Sequence, residues 1–193
     1  MGSRFLVYHI SLPNSVYSLE NLNILSLRGC WNLRHVSSLA KLTTLRRLDL
    51  GETFISEVPD GLEMLVNLTY LNLEAWNIKI MPLGILPKLS RLQYLRFSCQ
   101  LTVKGEEIER LKKLENVRVR FGDLYEFRTF IRSFEKRQLA SYQIQVGQSE
   151  EVGDWDIQDE GKGVILEEYN LGQLESSLVL PEDLQSLDEI ATI

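Results

Sequence analysis

Two histidines, two cysteines, one Gly-Lys-Gly stretch and one aspartate run are the residues of this 193-residue chain whose types could support catalysis, metal binding or phosphate binding. A histidine base needs a nucleophile and an orienting acid within hydrogen-bond reach. His9 and His35 each sit where a turn is expected, with no Ser or Cys and acid placed by sequence to complete such a set. Cys30 and Cys99 lack the nearby Cys or His partners of a zinc site, and two thiols make no disulfide framework, so both are read as reduced. A phosphate loop requires G-x-x-x-x-G-K-[ST]; Gly161-Lys162-Gly163-Val164 has neither the spacing nor the hydroxyl. Asp154, Asp156 and Asp159 begin like a calcium loop, but Gln158 stands at the third ligand place and Asp159 where the loop needs glycine. That run reads as a solvated loop inserted between strands. The chain is therefore expected not to be an enzyme and to carry no cofactor or metal.

What recurs instead is leucine. Leu45, Leu48 and Leu50 stand at intervals of three and two, and Leu68, Leu71 and Leu73 repeat that spacing 23 residues later. The first leucines of successive units are Leu22, Leu45, Leu68, Leu92, Leu114 and Leu139, at separations of 23, 23, 24, 22 and 25. Units such as LRRLDLGET and LTYLNLEAW alternate, with apolar residues at their first, fourth and sixth places. Alternation of this kind reads as a strand, and one strand per unit at a period of roughly 20 to 29 is the leucine-rich repeat pattern. The expected fold class is α/β, a solenoid arc with a parallel sheet on its concave side and short helical or irregular convex segments. Residues 1–21 read as a partial N-terminal repeat, 22–146 as repeats with strands starting near the six leucines, and 147–193 as degenerate acidic repeats with an inserted loop, ending within a repeat.

Between strands a second phrase recurs, with Pro13, Pro59 and Pro82 leading into the return segments; proline fixes φ and lacks a donor, so it suits these turns better than a mid-helix place. Two return segments are more helical. One runs through Ile108 and Leu111, and the other has Phe127, Phe130, Ile131 and Phe134 at i, i+3, i+4, i+7, a stripe expected under the strands. In the tail, Val164, Leu166 and Leu171 thread onto the places of Leu48, Leu50 and Ile55, and Ile190 and Ile193 are expected to open a further strand. Ends that cut through a repeat would expose leucine core and a strand edge, so self-association is expected there.

The residues between the leucines point outward on the concave face. They include Arg28, Arg47, Asp49, Tyr70, Asn72, Glu74, Tyr94, Arg96, Asn116, Arg118, Arg120 and Gln143, the candidate protein-binding residues. Neighbouring Tyr70 and Tyr94 beside several arginines match the composition enriched at contact hot spots.

Charge divides the chain. Residues 147–193 hold 13 acidic side chains against Lys162, a formal −12, which leaves +6 for residues 1–146. A basic front and an acidic tail can reflect a partner surface. Nucleic acid is not expected, because aromatic interleaving is thin and the net charge is −6. No stretch approaches the roughly 20 apolar residues of a membrane span, and the first ten residues lack the apolar core and cleavage site of a secretion signal. The expected location is cytoplasmic. The sequon Asn67-Leu68-Thr69 is read as coincidence, since Leu68 is a motif leucine.

The wording from Leu12 to about Phe134, including LPNSVYSLENLNILSLRGCWNLRHVSSLAKLTTLRRLDLGETFISEVPDGLEMLVNLTYLNLE, GILPKLSRLQYL and VKGEEIERLKKLE, resembles the repeat region of plant intracellular immune receptors with a coiled-coil, nucleotide-binding and leucine-rich repeat layout. The resemblance implies a recognition module that engages a pathogen effector or guarded host protein, or restrains the nucleotide-binding domain of its parent receptor. It also implies that the basic repeats face an acidic nucleotide-binding module. This chain holds no phosphate loop and no coiled coil, and reads as a fragment of such a receptor. The alternative from the residues is a ligand-binding ectodomain of a secreted or receptor-kinase type, or a generic repeat scaffold.

Overall fold

The computed structural model describes residues 11–134, 139–147, 161–166 and 190–192. Eight strands, β1 (Ile24–Ser26), β2 (Arg47–Asp49), β3 (Tyr70–Leu73), β4 (Tyr94–Phe97), β5 (Asn116–Phe121), β6 (Ser141–Val146), β7 (Lys162–Leu166) and β8 (Ile190–Thr192), form one parallel sheet in sequence order. Leu48 pairs with Leu71, Leu71 with Leu95, and Leu95 with Val117, so equivalent residues of successive repeats stack in rows about 4.8 Å apart. The strands begin two residues after the motif leucines, which themselves close the turn before each strand.

Those turns repeat almost bond for bond. Leu42 N–H donates to Leu39 O at 2.9 Å and Leu45 N–H to Leu42 O at 3.0 Å; Leu62, Leu65 and Leu68 do the same, as do Leu86, Leu89 and Leu92. A leucine at every third residue thus points inward, and all nine are fully buried. Each contributes about 1.5–3 kcal/mol of burial that one repeat could not secure without its neighbours.

Among the described residues the convex side carries short 3-10 turns at Asn14–Ser18, Leu62–Met64 and Leu86–Lys88, then two helices, α1 (Gly105–Glu109) and α2 (Leu124–Phe134). Phe127 and Phe130 of α2 pack on Phe121 of β5 with ring centroids 6.0 and 5.1 Å apart, and Ile131 is buried beside them. Buried carboxylates tie repeats together here. Glu107 accepts the Gly84 N–H at 2.9 Å, and Glu126 accepts the Gly105 N–H at 2.8 Å and the Lys104 ammonium at 2.7 Å.

The tail register differs from the sequence expectation. Val164 pairs with Ile144 and Leu166 with Val146, which moves Val164 into the row of Leu50 rather than that of Leu48. A two-residue shift keeps the same residues facing inward, so hydrophobic alternation alone cannot select between the two registers. Val164 also pairs with Ile190, which puts Ile190 in that same row instead of at the start of a new motif. Leu171 and the aspartate run lie outside the described residues. Among three residues at the place where such repeats often carry Asn or Cys, only Thr53 turns inward, donating to Leu50 O at 2.7 Å; Cys30 and Trp76 are exposed.

Candidate protein-contact face

Because equivalent residues align across the sheet, the outward rows of β1 to β6 bring side chains from distant repeats into contact. Tyr70 and Tyr94, opposite each other on β3 and β4, stack with centroids 4.3 Å apart and planes 9° from parallel. The Arg47 guanidinium caps the stack 3.7 Å from the Tyr70 ring, a cation–π contact, while Arg96 donates to the Tyr94 hydroxyl oxygen at 3.0 Å. Burial, then the nearby Asp49 carboxylate and Tyr94, push the Tyr70 phenol up to about 12 against the opposing pull of Arg47. Tyr70 is therefore neutral at physiological pH, with its hydroxyl directed at Asp49, 3.5 Å away.

Carboxylates are distributed along the same face. Glu74 is the hub: Arg118 donates to it at 2.9 Å, the Arg96 guanidinium lies 3.3 Å away, and the Asn72 amide donates to its other oxygen at 3.3 Å. Asp49 accepts from Arg47 at 3.4 Å and from the Gly51 N–H at 3.2 Å. Glu52 takes two hydrogen bonds from Arg28, at 3.1 and 2.8 Å, from a backbone with φ 57°. Glu52 was not among the expected residues; its sign is its place beside Gly51, one position past the alternating stretch.

The face is consequently less open than the alternation implies. Asp49, Asn72, Arg96, Arg120 and Gln143 are buried, because neighbouring rows are close enough for long side chains to cover one another. Arg120 donates to the Gly147 and Cys99 carbonyl oxygens at 3.0 and 2.8 Å, so it fastens loops and is not displayed to a partner. The accessible residues include Arg28 and Arg47, each with 44% of the side chain exposed, and Ile24 at 60%. Tyr70, Tyr94, Asn116 and Arg118 are half-buried, and the last three border a shallow depression with Ser141 and Gln143. Five arginines (Arg28, Arg47, Arg96, Arg118 and Arg120) face three carboxylates (Asp49, Glu52 and Glu74), so this group is net positive.

A second feature absent from the expectations lies on the rim where strands end. Phe54 and Trp76 sit 6.5 Å apart and Arg34 lies 5.7 Å from the Phe54 ring. His35 is exposed with Nδ1 3.3 Å from Glu57; His9 is outside the described residues. Among the described residues, no three His, Cys, Asp or Glu side chains stand together as a metal site, and no helix is long and apolar enough to cross a membrane.

The family model described as Leucine-rich repeat region matches residues 5–151. A disease resistance protein of Arabidopsis thaliana is 34% identical over 147 residues, 67% of this chain and 15% of that protein. A putative disease resistance protein of the same plant is 38% identical over 82 residues, 42% of this chain and 7% of that one. The chain thus spans a small part of the relatives it matches. In structure it is similar to an internalin from Listeria monocytogenes, with a TM-score of 0.56 at 18% identity, covering 95% of this chain and 51% of that one. An internalin C2 of the same bacterium gives 0.50 at 19% identity, covering 82% and 77%. At such identities the internalins speak for the fold alone. With its period, its parallel sheet and its match over residues 5–151, this chain belongs to the leucine-rich repeat region family.

Proposed function

We propose that this chain is a non-catalytic recognition module of a plant intracellular immune receptor, located in the cytoplasm, which binds a protein through its concave face. The observation that carries the contact surface is the Arg47–Tyr70–Tyr94 stack with Arg28 and Arg118 on either side, rigid aromatic area flanked by cations. Such a surface suits a partner that brings carboxylates and an apolar or aromatic side chain. The matched disease resistance proteins support the immune reading. Partners of the kinds that region serves are a pathogen effector, a guarded host protein, or the nucleotide-binding domain of the parent receptor.

The secreted-ectodomain alternative is disfavoured by Asn67. Its amide donates to Thr43 O at 2.9 Å and its oxygen accepts from Arg91 at 2.9 Å, so a glycan on that nitrogen would crowd a repeat-to-repeat contact.

The test is binding to a nucleotide-binding domain encoded in frame upstream, supplied in trans, measured by calorimetry alongside candidate effectors. Arg96 and Arg118 are unsuitable for charge reversal because both hold Glu74. Arg47→Ala with Tyr94→Ala should instead weaken binding by roughly tenfold or more with the circular dichroism unchanged. Equal affinity of the double variant for every partner that binds would remove the concave face from this reading.

A further inference from the structure

The repeated leucine turns leave two residues facing out between each pair of leucines, and these run from the convex side down to the edge at the strand N-termini. In the turn at Leu39–Leu45 the outward residues include Lys41 and Thr43; in the next they are Met64 and Val66, then Lys88 and Arg91, then Arg110, Lys112 and Lys113. The first two turns are close to neutral, since the half-buried Glu63 offsets Lys41. The last two hold five exposed cations with the half-buried Glu109 among them, the exposed Glu106 and Glu115 lying just outside. None of the five forms an ion pair among the described residues; Arg91 donates to the neutral Asn67 side-chain oxygen at 2.9 Å. Next to this patch, one repeat back along the same rows, Met64 and Val66 are each about half exposed.

We propose that this edge is a second interaction surface, separate from the concave face, and that it takes an acidic amphipathic protein segment. Five cations within two adjacent repeats create a field that draws in carboxylates. Met64 and Val66 continue the patch with apolar area, and methionine adapts its shape to an incoming side chain. The arrangement of aromatic side chains decides between anionic partners. Among the described residues the exposed large aromatics are Trp31 and Trp76, after the strands on the opposite edge, and Tyr125 in α2, none of them in these turns. The basic edge therefore lacks the rings on which single-stranded bases stack and the tryptophans that anchor a protein at a lipid interface.

The experiment uses the whole chain and a fluorescent synthetic peptide alternating Glu and Leu at helical spacing, read by anisotropy at about 150 mM salt, where weak long-range attraction is screened. Anionic phosphatidylserine vesicles and a single-stranded oligonucleotide are run in parallel. The peptide should bind, and Arg110→Glu, Lys112→Glu and Lys113→Glu together should weaken it by roughly tenfold or more. Lys112→Gln with Lys113→Gln should lose less, and Met64→Gln should lose about threefold. Arg47→Ala on the concave face should cost far less than the triple charge reversal, which separates this surface from the one proposed above. An unchanged affinity in the charge-reversed variant, or tighter uptake by vesicles or oligonucleotide than by peptide, would overturn the proposal.

Discussion

Glu74→Ala tests whether the concave face is held together by its own charges. In the native chain the Glu74 carboxylate lies 2.9 Å from Arg118 and 3.3 Å from Arg96, and the three side chains are 16, 15 and 11% exposed. At an effective dielectric of about 20, a pair at 4 Å attracts by about 4 kcal/mol, so two such contacts are large before desolvation is subtracted. Removing one partner of a buried pair typically costs about 3–5 kcal/mol. Here some water reaches all three groups, which lowers the expectation to about 2–3 kcal/mol. Alanine also leaves Arg96 and Arg118, paired directly across β4 and β5, as like charges opposite each other. Urea unfolding followed by circular dichroism should therefore show a lower midpoint for Glu74→Ala. Added salt should narrow the gap by screening the two arginines. Arg118→Met in the same chain should restore part of the loss, because it removes the repulsion that alanine creates. A Glu74→Ala variant within about 0.5 kcal/mol of the native chain at low salt, with no recovery from salt or from Arg118→Met, would refute the hub.

Two further outcomes follow from packing and titration. Gly105→Ala, which in an exposed helix would stabilise by up to about 1 kcal/mol, should here destabilise by about 3 kcal/mol, because a Cβ would overlap the Glu126 carbonyl oxygen and crowd Thr129 and Phe130; a raised melting temperature would contradict the α1–α2 contact. Tyr70 ionises near 12 when folded against an ordinary value of 10.0, so its contribution to stability is intact below about pH 10 and falls as the unfolded state alone loses the proton between about 10 and 12. Comparing native and Tyr70→Phe chains across that range should show a steeper decline in the native one, and parallel curves would count against the burial of that phenol.

Several parts of this protein are fixed by local sequence. The leucine turns, the one-strand-per-repeat plan and the inward or outward sense of each strand residue depend on spacings within about 23 residues, and each repeat solves the same burial problem as its neighbour. The aromatic stripe of α2 was legible for the same reason: Phe127, Phe130 and Ile131 fall on one helical face.

Which outward residues remain available to a partner was decided by the tertiary structure. Glu74 meets Arg118 across 44 positions, Arg120 meets Gly147 across 27, and Arg28 reaches a Glu52 that alternation never counted. No periodicity encodes these partners, because they depend on how rows stack and which rotamers reach across strands about 4.8 Å apart. The tail register shows the same division. Alternation put Val164 and Leu166 on the inner side, but a shift of two residues preserves that face, and only pairing with Ile144 and Val146 selects the row. Sequence thus specified the repeating unit and its buried half, while contacts between repeats determined which charges the concave surface consumes internally and which it leaves exposed.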